Sequence, residues 1–200
     1  MRARLVSIVV VTAIEAPSVY IWLRLHESGH DWWGFLILAT GETLETALAL
    51  RLVSHSGREL ATAHREVAAT HLRGLRLRVG AGCAAEIVIW LLWLALAEEV
   101  GQLPAAVVLL VLMHLKHHAE MSAVHDTPFT TGLFAGWLNL ASAMEAAGAV
   151  ACLALLRDGR PVLAAVAWVI GLSIEHTVLV NNLHQELERR DVRLPREVHV

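Results

Sequence analysis

The chain has 200 residues, 56% of them hydrophobic and only 18% charged, with a mean hydropathy of +0.54. That balance leaves too little polar surface for a water-soluble domain and places the chain in the membrane class. A net charge of −3, with no phosphate-cradling glycine loop and no GxSxG elbow, gives no support to nucleic-acid, nucleotide or serine-nucleophile chemistry.

A spanning helix needs roughly 20 apolar residues, and six stretches supply them, predicting an all-α membrane bundle of six transmembrane helices in one unit. The first, Leu5 to Leu25, follows a basic tip as a signal peptide does, but Ile14 suits a cleavage after Ala16 poorly, so the segment reads as a span. Within it Pro17, two residues after Glu15, loosens the helix and frees a carbonyl. The second stretch runs from Trp32 to Val53. After it, residues 54–78 are polar, with Leu60, His64, Val67 and His71 on one helical face. They read as an amphipathic helix on the cytoplasmic surface, with a lid or metal-delivery role for His55, His64 and His71 as the alternative.

The remaining stretches are Val79 to Ala97, Pro104 to Val124, Gly132 to Leu156 and Pro161 to Leu183, followed by a charged tail over 184–200. The basic residues Arg2 and Arg4, those from Arg51 to Arg78, and those from Arg189 to Arg196 fall on one side of such a bundle. The positive-inside rule makes that side cytoplasmic, with both termini there, in a cytoplasmic (inner) membrane; Arg157 and Arg160 on the other side dissent. Trp22, Trp32, Trp33, Trp90, Trp93, Trp137 and Trp168 read as lipid-facing or headgroup anchors. Gly132 and Gly136 read as a close-packing face, and His125 and His184 as interfacial residues. Cys83 and Cys152 read as unbridged packing residues.

Paired, the stretches form three hairpins, 1–53, 79–124 and 132–183, each with a glutamate in its first helix and a polar pair in its second. Glu15 precedes Glu45 and Thr46, Glu86 precedes His117 and His118, and Glu145 precedes Glu175 and His176, all at nearly constant spacing. GETLETAL from Gly41 resembles GLSIEHTVL from Gly171, so a threefold repeat about a pseudo-threefold axis is expected.

An ionisable side chain at the bilayer centre costs about 2.5–3.5 kcal/mol on insertion scales. Glu15, Glu45, Glu86, Glu145 and Glu175 each lie in mid-span, at one depth by helical rise, and Lys116 is the only cation at that level. Such groups must compensate one another, and a divalent ion does so best, since oxygen and imidazole ligands from facing helices are how dinuclear bundle sites are built. The expected ligands are Glu15, Glu45, Glu86, His117, His118, Glu145, Glu175 and His176, with Glu42, His114 and Glu120 as the groups behind them. Iron or manganese is favoured, and zinc is compatible.

Five carboxylates with two or three histidines resemble the ligand inventory of ferritin-like di-iron proteins. The ordered Glu-x-x-His motif of that family is absent, and His117-x-x-Glu120 runs in reverse. Membrane histidine-box hydroxylases need more histidines than His114, His117, His118 and His125 provide.

Three functions compete. The first is a metal-dependent enzyme, an oxidoreductase or hydrolase, with Lys116 or Glu120 relaying protons to a small apolar or lipid-like substrate. The second is a divalent-cation or proton transporter with Glu42, Asn139, Asn181 and Asn182 along its path. The third is a haem electron carrier with His118 and His176 as axial ligands.

Overall fold

The computed structural model describes the backbone of residues 2–60, 65–125 and 136–193, and side chains at 8–48, 80–122 and 136–182. It is all-helical: α1 (Arg2–His26), α2 (Asp31–Leu60), α3 (Arg65–Glu99), α4 (Gln102–His125), α5 (Gly136–Arg157) and α6 (Pro161–Arg193). Of the residues expected in a separate surface helix, 54–60 continue α2 and 65–78 open α3. The side chains of His55, His64, His71, His125 and His184, together with Gly132 and the tail beyond 193, lie outside the described residues.

Each helix packs on its chain neighbours, and α1 also packs on α6, so the six close into a ring. Tight turns make the first, second and third hairpins possible. In the first, Gly29 (φ 73°) follows α1, and the N–H groups of Gly29 and His30 donate to the carbonyls of His26 and Leu25. In the third, Gly159 (φ 70°) and Arg160 make the same pair of bonds, to Leu156 and Leu155. This is the Schellman arrangement, in which a left-handed glycine satisfies the last carbonyls of a helix. Pro161 then starts α6, where its missing N–H costs nothing.

Among the described residues, four helices contain segments long and apolar enough to cross a membrane: Ile8–His26, Gly80–Glu99, Gly136–Arg157 and Pro161–Asn182. Their outward faces expose Val9, Val88, Val162 and Ile170, a surface suited to hydrocarbon. In α2 the apolar run is broken by Glu42 and Glu45, and in α4 by the polar stretch from His114 to Glu120. The polar residues that lower the hydropathy of these two helices include several that turn inward, since Glu42, His117 and His118 are buried.

Four of the seven tryptophans correct the expectation of lipid-facing anchors. Trp22, Trp90, Trp93 and Trp168 are buried in the core, whereas Trp32 and Trp33 are exposed. Trp90 makes edge-on contacts with Trp22, Trp93 and Trp168, its ring centroid 6.3, 5.7 and 5.6 Å from theirs. Trp168 donates its Nε1–H to the Ala16 carbonyl at 3.1 Å, beside Pro17. A wide indole fills the space between helices that smaller residues leave open, and edge-to-face geometry adds about 0.5–1.5 kcal/mol per pair.

Small-residue packing also falls elsewhere than expected. Gly136 has open space where a Cβ would stand. Gly41 lies against the Ser18 side chain, and Gly171 against Gly148 and the Met144 carbonyl. Those approaches draw α2 onto α1 and α6 onto α5 one turn before Glu45 and Glu175.

Candidate metal centre

The close approach at Gly171 brings α6 near enough to α5 for Glu145 and Glu175 to share one space. Glu15, Glu42, Glu86, His117, His118, Glu145, Glu175 and His176 are all at most 5% exposed. Three overlapping sets of potential ligand atoms lie mutually within 4.8 Å: Glu15, Glu175 and His176; His117, Glu145 and Glu175; and Glu15, Glu42 and Glu86.

Glu175 joins the first two sets. Its Oε1 is 3.1 Å from His117 Nε2, and its Oε2 is 3.8 Å from His176 Nε2. Glu145 Oε2 stands 3.4 Å from His117 Nε2, and Glu15 Oε2 stands 3.0 Å from His176 Nε2. Most of these separations fall near the roughly 3–3.5 Å left between ligand atoms that each sit about 2.1 Å from one ion.

Hydroxyl groups orient both histidines. His117 Nδ1 is 3.0 Å from Ser142 Oγ, and Ser142 Oγ donates its only hydrogen to the Leu138 carbonyl. With its hydrogen on the Leu138 carbonyl the hydroxyl accepts from His117 Nδ1–H, and in a neutral ring that leaves the lone pair on Nε2. That atom faces two carboxylates yet forms no hydrogen bond, and both oxygens of Glu145 and Oε2 of Glu175 are also unsatisfied. Buried carboxylates around that nitrogen call for a positive charge between them, which either a metal ion or a proton on Nε2 supplies.

His176 repeats the arrangement, with Nδ1 2.8 Å from Thr12 Oγ1. Thr12 and Ser142 each lie one turn before a site glutamate, Glu15 and Glu145, and each reaches a histidine of the adjoining hairpin. Partners of this kind fix ring orientation and typically change metal affinity 10–100-fold. Thr12→Val and Ser142→Ala are each expected to weaken metal binding by about that factor while leaving the helix content intact; competition with a chelator measures it, and unchanged affinity in both variants would remove the orienting role.

The other expected residues are placed less uniformly. Glu86 joins the third set, where Lys116 Nζ reaches its Oε2 at 2.8 Å. The same Nζ is 3.6 Å from Glu120 Oε2, one turn along α4. Glu42, expected behind the ligands, is instead a member of that set, fully buried with both oxygens unsatisfied. Glu45 is half-buried and belongs to none of the sets described, although it lies within electrostatic reach of Glu15, Glu86, Lys116 and His176. His118 is buried and stacks on His114, ring centroids 6.5 Å apart at 11°, and it too belongs to none of those sets.

Thr12 and Ser142 were not among the expected residues; their signal was a hydroxyl one turn before two of the three first-helix glutamates. One of the two dissenting arginines, Arg157, is accommodated by ion pairs. Arg157 pairs with Glu27 at 3.0 Å and with Glu98, joining the outgoing ends of α1, α3 and α5. No protein-family model, curated protein or solved structure matches the chain.

Proposed function

We propose that the protein is a metal-dependent membrane enzyme, an oxidoreductase or hydrolase, built as a six-span bundle around a dinuclear centre. The observation that carries this reading is Glu175, whose two oxygens face two histidines, His117 and His176, from different hairpins. Glu15, Glu175 and His176 would hold one ion, and His117, Glu145 and Glu175 would hold a second. Iron or manganese suits this carboxylate-rich donor set, and zinc is compatible with it. Such a pair, when bound, supplies Lewis-acid or redox chemistry.

A pseudo-threefold repeat supports the site. Glu15, Gly29, Gly41 and Glu45 recur at one constant offset as Glu145, Gly159, Gly171 and Glu175. A second constant offset carries Glu15, Trp22, Leu38 and Thr46 onto Glu86, Trp93, Leu109 and His117. Leu38, Leu109 and Trp168 occupy one register position in the three copies, and all three are fully buried. In this arrangement α2 and α4 also cross the bilayer, their inward polar residues stabilised at the shared centre. The arginine-rich segments then lie on the cytoplasmic side of an inner membrane, with both termini there.

An apolar groove of about 690 Å³ between α1 and α6 is lined by Val9, Ala13, Ile21, Val169 and Trp168, with Thr12 in its wall. Thr12 contacts His176, so a small apolar or lipid-like substrate entering from the hydrocarbon comes within one side chain of the centre. Glu120, partly exposed and one turn along α4 from Lys116, would hold and pass protons near Glu86.

Elemental analysis of natively purified protein tests the reading: about two ions per chain are expected, and folded protein that retains none and takes up none sinks it. Transport is the second reading, favoured by the line from Glu86 through Lys116 to the partly exposed Glu120. Metal flux in proteoliposomes that disappears in Glu45→Gln would establish it; retained metal without flux would exclude it. The buried tryptophan cluster one to two turns from Glu15, Glu86 and Glu175 fills the bundle interior beside the site, which favours a resident ion over a conduction path. The carboxylates around His176 favour a bare ion over haem.

A further inference from the structure

The geometry points to Lys116 as a built-in cation that closes a third metal position, formed by Glu15, Glu42 and Glu86, and so limits the centre to two ions. This rests on the dinuclear reading above. The offset that carries Glu15 onto Glu86 carries Glu45 onto Lys116, while the third hairpin keeps a glutamate there, Glu175. Two hairpins thus offer a carboxylate at this register, and the middle one offers an ammonium.

The ammonium compensates one member of that set, Glu86. Its Nζ is 2.8 Å from Glu86 Oε2, a charge-assisted contact, and 3.6 Å from Glu120 Oε2. Gly82 makes room for the second carboxylate, because a Cβ there would stand 2.7 Å from Glu120 Oε1. The Glu15, Glu42 and Glu86 oxygens nevertheless lie within 4.8 Å of one another. Glu42 is fully buried and neither of its oxygens has a partner, so it is aimed at a place where a cation is wanted. The set contains only oxygen donors, the chemistry of a hard divalent ion such as manganese(II). With Lys116 on Glu86, a divalent ion entering there would meet a fixed positive charge a few ångströms away. Without it, three carboxylates would face one another uncompensated.

The test is manganese(II) stoichiometry of the full chain in lipid nanodiscs, loaded with excess metal, washed and counted by elemental analysis. Wild type is expected to hold two ions and Lys116→Gln three, the third lost again in Lys116→Gln/Glu42→Gln. Lys116→Arg, which keeps the charge, is expected to hold two. Two ions in both wild type and Lys116→Gln would overturn this inference alone, whereas none in either would overturn the dinuclear reading with it. Anomalous scattering from manganese-loaded wild type decides the matter even where Lys116→Gln does not fold. Two peaks with nothing between Glu15, Glu42 and Glu86 are expected, and a third peak there overturns the inference.

Discussion

Glu175→Gln is expected to strip both ions from the centre, lowering bound metal by more than tenfold. Glu175 alone belongs to both histidine-containing sets, with Oε1 3.1 Å from His117 Nε2 and Oε2 on the side of His176. An amide keeps the size of the side chain but loses the negative charge and one of the two acceptor oxygens that a bridge requires. Removing even a group that only orients a ligand costs 10–100-fold in affinity, so removing a shared ligand must cost at least as much. Glu45→Gln serves as the comparison, since Glu45 is half-buried and outside both sets; it is expected to keep both ions. Elemental analysis of the two variants side by side reads the difference, and a Glu175→Gln protein that still carries two ions would show that the halves are not joined there.

The second large effect is on packing. At Gly171 a Cβ would stand 2.6 Å from the Met144 carbonyl oxygen and 2.9 Å from Gly148 Cα. Both are backbone atoms, which cannot rotate aside, so Gly171→Leu must push α6 away from α5. Overpacking a tight interface costs about 1–3 kcal/mol, and a backbone clash belongs at the top of that range. At about 2–4 °C per kcal/mol for a chain of this length, melting should fall by roughly 6–12 °C. Metal affinity should fall too, because Gly171 lies one turn before Glu175 and Gly148 one turn after Glu145. Gly136→Leu, placed where a Cβ meets nothing within 4 Å, is expected to leave both unchanged. Equal melting of the two variants in detergent would contradict the packing described.

The contrast between those two glycines shows where sequence reasoning ran out. Both sit on apolar helices, and only the partner that each one faces separates a close approach from open space. The tryptophans teach the same lesson. An indole suits a headgroup boundary and a bundle core equally well by composition, and burial of Trp22, Trp90, Trp93 and Trp168 depends on neighbours contributed by distant segments. His117 and His118 differ by about 100° of helical rotation, and that rotation alone puts His117 against Glu145 and Glu175 while His118 stacks on His114.

What the linear chain determined by itself was the class and the pressure acting on it: helices too apolar for water, interrupted at recurring positions by acids and histidines that hydrocarbon does not tolerate singly. That follows from transfer energies and periodicity, which are properties of each segment alone. Only the folded arrangement decided which of those groups meet, that Glu175 lies between two histidines, that His117 turns Nδ1 to Ser142 and Nε2 to the carboxylates, and that Lys116 occupies a place beside Glu86. Those are relations between helices brought together by small-residue contacts and indole packing, and a distance of a few ångströms across a bundle leaves no trace in the order of residues along it.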